Sequence, residues 1–154
     1  MNYRKAEKND IPQLIEIRLA YLKENHIGLT DVQCKEIASQ FPQYFDRHLN
    51  KDLIAYICEM NDKIISSVFL HIISMPANPS TITGKNGILL NVYTEPASRK
   101  KGIATKLLSS AIADARQMNL SFIELDATDC GYPVYEKIGF IPVKSNYTHM
   151  KLVL

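Results

Sequence analysis

The amino-acid sequence predicts an α/β (α+β) fold, a mixed sheet with helices on both of its faces. Helix-period runs and β-rich runs follow one another in the order β-α-α-β-β-β-α-β-α-β-β. The chain has 154 residues, 46% of them hydrophobic and 22% charged, which is typical of a globular protein with a sizeable core. No repeat or linker interrupts the pattern, so we expect one domain over residues 1–154.

The strands are predicted from runs that are rich in β-branched and aromatic residues. The turn at Asn61-Asp62 suits a hairpin, and Pro76–Lys85 is a loop by composition. The predicted strands are Asn2–Ala6, Leu53–Glu59, Lys63–Ile72, Gly87–Thr94, Ser121–Asp126, Phe140–Pro142 and His149–Val153.

The helices are predicted from apolar spacing and from capping residues. Asp10 and Gln13 have the spacing of a helix cap, and Thr30 and Gln33 repeat it at a second helical region, which Pro42 is expected to split. Two later helices are predicted over Lys101–Met118 and Pro133–Ile138. The buried side of the first of these is predicted to carry Ile103, Leu107, Leu108, Ala111, Ile112 and Ala115.

Composition and charge exclude several classes of function. The net charge of +2, with basic residues scattered among acidic ones, argues against nucleic-acid binding. Met1–Ala6 has no apolar signal-peptide region, and no apolar run is long enough to span a membrane. Three cysteines without a CxxC pair indicate neither a disulfide framework nor a zinc site. We therefore expect a soluble cytoplasmic protein that binds no metal, membrane or nucleic acid.

The segment after the strand Gly87–Thr94 is typical of a phosphate-binding turn. A basic run leads into small residues and an amphipathic helix, whose first backbone N–H groups have no partner in the helix. Gly102 lets a ligand approach the backbone, and Arg99 can form a fork on phosphate oxygens. The alternative is a solvated basic turn. The expected ligand-binding residues here are Arg99, Lys100, Lys101, Gly102, Ile103, Ala104 and Thr105.

Two motifs resemble the GNAT superfamily of N-acetyltransferases. Arg99-x-x-Gly102-x-Ala104 is similar to its Gln/Arg-x-x-Gly-x-Gly/Ala signature. Tyr135-Glu136-Lys137-x-Gly139-Phe140 is similar to its C-terminal motif. The resemblance covers roughly Gly87 to Phe140 and implies a mostly antiparallel sheet of about six to seven strands. Because dimers are common on this scaffold, it also favours a homodimer.

The resemblance implies acetyl-CoA as the cosubstrate, with no metal. In the family the pantetheine arm pairs with the backbone of the central strand like an added strand. On this chain that backbone belongs to Asn91, Val92, Tyr93 and Thr94. A polar loop of the family often contacts the CoA arm, which implies the same for Thr128 and Asp129, although a turn cap explains them equally well.

Tyr135 is the residue that the resemblance identifies as the catalytic acid. When an amine displaces CoA, the departing thiolate needs a proton, and a phenol stays protonated at neutral pH. The alternative for Tyr135 is a core aromatic residue. The base that accepts the proton of the amine stays open among Glu59, His71 and Asp126.

The acceptor of the acetyl group is predicted to be a primary amine, either a small molecule or, second, a peptide N-terminus or lysine. Its pocket is expected between the helical region Tyr21–His48 and the loop Pro76–Lys85. The alternative function is a non-catalytic acyl-CoA-binding or sensing domain on the same scaffold. The polar and aromatic candidates for the pocket are Tyr21, Glu24, His26, Gln40, Tyr44 and Asp46.

Overall fold

A five-stranded sheet flanked by helices forms the computed structural model, which describes residues 1–154. The strands lie in the sheet in chain order. Their bounds are β1 Asn2–Lys5, β2 Leu53–Met60, β3 Lys63–Ser74, β4 Lys85–Thr94 and β5 Ile123–Glu124. The α-helices are α1 Ile11–Asn25, α2 Asp31–His48, α3 Ile103–Gln117 and α4 Tyr132–Lys137. Short 3-10 turns occupy Lys8–Asp10 and Pro96–Ser98.

The sheet is mixed and mostly antiparallel, which confirms the predicted fold class. Strands β1 to β4 pair antiparallel, and β5 pairs parallel to β4. Asn61 and Asp62 form the hairpin turn between β2 and β3, both at positive φ (53° and 59°). Left-handed backbone at both central residues is the conformation that favours Asn and Asp in a tight hairpin.

Helices cover both faces of the sheet, because successive residues of each strand point to opposite sides. Ala55 and Ile57 of β2 pack with α1 and α2, whereas Tyr56 and Cys58 pack with α3. The predicted buried side of α3 is confirmed at Ile103, Leu107, Leu108, Ala111 and Ala115. Two cores therefore hold the sheet from its two sides.

The C-terminal strands predicted at Phe140–Pro142 and His149–Val153 are wrong, and β5 is shorter than the predicted Ser121–Asp126. The apolar alternation of the tail is present, but a strand forms only where a neighbouring strand supplies hydrogen-bond partners. Strand β5 makes only two ladder pairs with β4, so it offers few backbone groups with which a further strand could pair. Most apolar side chains of the tail stay exposed, including Ile141, Val143, Met150 and Leu152.

Two predictions about helix ends and breaks need correction, and one is confirmed. Thr30 and Gln33 form the predicted capping box of α2. Helix α2 continues through Pro42, because Phe45 one turn later is buried in the core and anchors the helix. The Asp10 side chain does not cap α1. It accepts hydrogen bonds from both terminal nitrogens of Arg4 and from the amide of Glu7.

Asp10 and Arg4 tie the first turn of the helical layer to the sheet. Arg4 Nη1 lies 2.6 Å from Asp10 Oδ2, and the same guanidinium also forms a salt bridge with Glu59 of β2. The hydrogen bond from Arg4 holds the pKa of the Asp10 carboxyl below its usual range. Because the folded pKa is depressed, this pair stabilises the protein above the unfolded pKa of about 3.9 and loses that effect as the pH falls through the folded pKa.

Replacing Asp10 with alanine should lower the free energy of unfolding at pH 7 by about 1–3 kcal/mol, because it leaves part of a half-buried guanidinium without its partner. Urea unfolding at pH 7 and at pH 3 measures the free energy of unfolding, and the loss relative to the parent should be smaller at pH 3. The control is Asp46→Ala, which removes an exposed ion pair with Lys8 and should leave stability near the parent's. Equal losses in the two variants would contradict the prediction.

No helix has the length and apolar character that a membrane crossing requires. The cysteines Cys34, Cys58 and Cys130 are all free.

Candidate functional site

Strand β4 carries a bulge at Asn91 that changes the direction of its side chains. Asn91 is buried at positive φ (51°), and the pairing with β3 shifts register beside it. One extra residue reverses the alternation, so Leu89 and Val92 both pack towards α3 while Leu90 and Tyr93 face α1 and α2. The Asn91 amide donates to the hydroxyl of Ser67 at 2.9 Å, which fixes the bulge from β3.

Strands β4 and β5 separate immediately before the bulge. Their ladder consists of Gly87 with Ile123 and Ile88 with Glu124, and no strand pairs with this edge of β4 beyond Ile88. The backbone of Leu89–Thr94 therefore borders an opening in the sheet. An extended ligand can lie in such an opening and use the free backbone groups as a strand would.

The turn after β4 presents a run of free backbone amides. Lys100 and Gly102 both have positive φ (60° and 73°), and Gly102 is the N-cap of α3 without a side-chain cap. None of the N–H groups from Lys100 to Thr105 donates a hydrogen bond within the protein. A Cβ at Gly102 would meet no atom within 4 Å, so the space in front of the turn is open. Free amides at a helix N-terminus are suited to bind phosphate oxygens.

Arg99 forms an ion pair with Glu24 that its sequence position did not indicate. Its Nη2 lies 2.6 and 2.8 Å from the two carboxylate oxygens of Glu24 in α1, and its Nε donates to the carbonyl of Thr94. The guanidinium also lies over the ring of Tyr93, at 5.6 Å from its centroid. The ion pair is exposed on both sides, and such pairs contribute about 0–1 kcal/mol, so a phosphate can compete with Glu24 at little cost.

Tyr135 lies on α4 and belongs to the same core cluster as Leu89 of β4 and Ile103 of α3. Its ring is buried and stands edge-on to the ring of Phe140, with 6.0 Å between the two centroids. The ring also packs against Gly131, where a Cβ would come within 2.9 Å of Tyr135 Cε2. Its hydroxyl makes no hydrogen bond within the protein. Burial, with a smaller effect from nearby Tyr21, raises the pKa of Tyr135 to about 12, so the phenol keeps its proton across the neutral range.

The loop before α4 and the three base candidates lie in different surroundings. The hydroxyl oxygen of Thr128 accepts a hydrogen bond from the amide of Gly131 and so caps the turn, while Asp129 is exposed. Among the base candidates, Glu59 on β2 is bound to Arg4 of the edge strand β1, and Asp126 is exposed beyond β5. His71 on β3 is different, because its Nδ1 is buried without a hydrogen-bond partner. The geometry singles out none of them as a base.

A cavity of about 470 Å³ opens between α1, α2 and the sheet. Of the six candidates predicted for the acceptor pocket, Gln40 and Tyr44 line it. Glu24 and Asp46 are used in ion pairs, His26 lines a smaller hollow, and the loop Pro76–Lys85 lines neither. Arg18 was not among these candidates, because an arginine at helical spacing beside apolar residues indicates a side chain that covers the edge of the core. Arg18 lines the cavity and donates to Asn91 Oδ1 at 3.4 Å.

Comparison with known proteins places these features in a wider context. Residues 17–140 match the model of the acetyltransferase (GNAT) family. The chain is similar to a predicted acetyltransferase from Clostridium acetobutylicum that was solved with acetyl-CoA. The two share 35% identity and a TM-score of 0.84, over 97% of this chain and 95% of that one. No curated protein sequence matches the chain.

Two more distant structures share the fold. A GCN5-related N-acetyltransferase from Ralstonia eutropha JMP134 has 23% identity and a TM-score of 0.81, with 97% of each chain covered. Glucosamine-6-phosphate N-acetyltransferase from Arabidopsis thaliana has 20% identity and a TM-score of 0.65, again over 97% of each chain. At these identities the likeness concerns the fold alone.

Proposed function

Because the chain belongs to the GNAT acetyltransferase family, we propose that it transfers the acetyl group of acetyl-CoA to a primary amine. One observation carries the proposal. The edge of β4 that loses its partner after Ile88 is followed, after the short turn at Pro96–Ser98, by the free amides of Lys100 to Thr105, so one stretch of chain offers backbone groups to an extended ligand and then to its phosphates. The acetyl-CoA bound to the Clostridium relative supports this choice of ligand.

In this proposal each part of acetyl-CoA has its own residues. The pantetheine arm pairs with the backbone of Asn91–Thr94, and the pyrophosphate accepts hydrogen bonds from the amides of Lys100 to Thr105. Lys100, exposed at the turn, adds positive charge, and Arg99 joins it by leaving Glu24. In the same proposal, Thr128 and Asp129 add a further polar contact to the arm.

Tyr135 is the proposed catalytic acid. Bound acetyl-CoA supplies the acetyl group as a thioester, and the neutral acceptor amine attacks its carbonyl carbon as the carbon–sulfur bond breaks. The nitrogen that becomes the amide releases one proton to water, and the Tyr135 hydroxyl, free of other partners, gives its own proton to the departing thiolate and regains one from water afterwards. A binding or sensing domain has no need for an uncommitted buried phenol at this point, which favours the transferase.

Calorimetric titration with acetyl-CoA, CoA and ADP tests the cofactor site. We expect saturable binding of acetyl-CoA in the micromolar range, partly reproduced by ADP because it carries the same pyrophosphate. Thiol release from acetyl-CoA in the presence of amines then tests transfer. The absence of binding at millimolar acetyl-CoA would refute both the transferase and the acyl-CoA sensor. Binding without thiol release for any class of amine would leave the sensor as the better description.

A further inference from the structure

Arg18 is a half-buried cation without an anionic partner. It forms no ion pair, and its contacts are the 3.4 Å hydrogen bond to Asn91 and the ring of Tyr21 at 5.4 Å from its guanidinium carbon. Burial lowers its pKa, with a smaller opposing effect from the phenols of Tyr21 and Tyr44, and no carboxylate of the chain forms a salt bridge with it. An unpaired cation in such a place costs stability, and an anionic group of a ligand would supply the missing partner.

The cavity around Arg18 has the character of a site for an apolar anion. Its wall contains no aspartate or glutamate. Aromatic rings of Phe41, Tyr44 and Phe69 form much of it, and the exposed Arg47 adds a second positive charge at the rim. At about 470 Å³ the cavity has the volume of a small-molecule site rather than of a groove for a protein segment.

The position of Arg18 also limits the length of the ligand. Asn91, to which Arg18 donates, is the bulge residue of β4, and Leu90 beside it belongs to the cavity wall. An anion held by Arg18 therefore lies next to the strand along which we place the pantetheine arm. A ligand whose anionic group binds Arg18 and whose amine reaches the end of the pantetheine arm has these two groups only a few bonds apart.

Resting on the proposed function, we propose that the acceptor is an amine that also carries a carboxylate and an apolar side chain, an amino acid in class, with Arg18 binding the carboxylate. A planar guanidinium matches a carboxylate with two parallel hydrogen bonds, and the aromatic wall takes the apolar side chain. Purely cationic amines, such as polyamines, are disfavoured because they bring positive charge against Arg18 and Arg47.

A matched set of probes tests the carboxylate. L-phenylalanine, its amide and 2-phenylethylamine share a ring and an amine, and only the first has a carboxylate. With kcat/KM expressed per neutral amine, the parent should prefer phenylalanine by roughly 10- to 100-fold, the strength of one charged hydrogen-bonded contact. Arg18→Gln should abolish this preference through KM, Arg18→Lys should recover part of it, and Arg116→Gln, on the exposed side of α3, should keep it.

Two readouts do not depend on turnover. The parent should bind N-acetyl-L-phenylalanine, but not N-(2-phenylethyl)acetamide, in calorimetry without acetyl-CoA, and Arg18→Gln should lose that binding. Arg18→Gln should melt at or above the parent's temperature, whereas a structural role would lower it. Equal affinity of the parent for both probes, or loss of affinity for both in the variant, would overturn the proposal. Failure to bind acetyl-CoA, measured separately, would instead reject the proposed function.

Discussion

Replacing Tyr135 with phenylalanine should lower kcat by about 10²- to 10⁴-fold and leave the dissociation constant of acetyl-CoA unchanged. The variant keeps the ring, so its packing against Phe140 and Gly131 is preserved. The hydroxyl has no partner within the protein, so its removal leaves no buried group unsatisfied. What is lost is the proton for the departing thiolate. Steady-state thiol release gives kcat, and calorimetry gives the affinity.

The pH dependence gives a second test of the same role. With a pKa of about 12, the Tyr135 phenol remains protonated up to strongly alkaline pH. The parent's kcat should therefore not fall between pH 7 and about pH 10, since the proposed acid keeps its proton there. The value of kcat/KM should rise over the same interval as the acceptor amine becomes neutral. A fall of kcat centred near neutral pH would assign the acid to another group.

Two other tyrosines serve as controls for this substitution. Tyr147→Phe changes an exposed residue of the tail and should leave kcat at the parent's value. Tyr132→Phe removes a hydroxyl from the exposed side of the same short helix. If Tyr132→Phe lost turnover and Tyr135→Phe did not, the acid would be Tyr132. If both retained turnover, proton donation from α4 would be excluded.

The parts of the fold that local sequence determines were predictable. The buried side of α3 follows from spacing alone, because every member lies within the same few turns of one helix. The hairpin at Asn61-Asp62 and the capping box at Thr30 are equally local. The basic turn and the motif around Tyr135 were found in the same way, each from a short stretch of chain.

Features that join distant parts of the chain were not predictable. Glu24 and Arg99 are separated by 75 positions, and nothing near either one indicates the pair. Asn91 gave a faint signal, since asparagine is among the residues that tolerate left-handed backbone, but an apolar strand with one polar residue predicts an uninterrupted ladder. The tail carried a strand pattern without a neighbour to pair with, so the pattern predicted structure that does not form.

Arg18 belongs to the same group of features. From the sequence, an arginine at helical spacing beside apolar residues indicates a long side chain that covers the edge of the core. Only the packed structure places it beside Asn91 with no carboxylate in a salt bridge to it. A half-buried cation is informative because no anionic side chain lies beside it, and a linear sequence does not show which side chains lie beside one another.

Replacing Gly102 with valine should raise the dissociation constant of acetyl-CoA by about 10- to 100-fold. Gly102 has a φ of 73°, which a β-branched residue adopts only with strain, and a side chain there would enter the open space at the turn that carries the free amides. The variant therefore both shifts the amides and occupies the space of the phosphates. Calorimetry with acetyl-CoA and with ADP measures the loss, which should be similar for the two ligands because both lose the same pyrophosphate contacts.

Gly28→Val is the matched control for this substitution. Gly28 also has positive φ (86°), and a Cβ there would likewise meet no atom within 4 Å, so the two variants carry the same kind of backbone strain. Only Gly102 lies at the proposed phosphate site. We expect both variants to lose a comparable amount of stability, about 1–2 kcal/mol, and only Gly102→Val to lose affinity. If Gly102→Val kept the parent's affinity, or if Gly28→Val lost as much, binding of phosphate by the turn before α3 would be rejected.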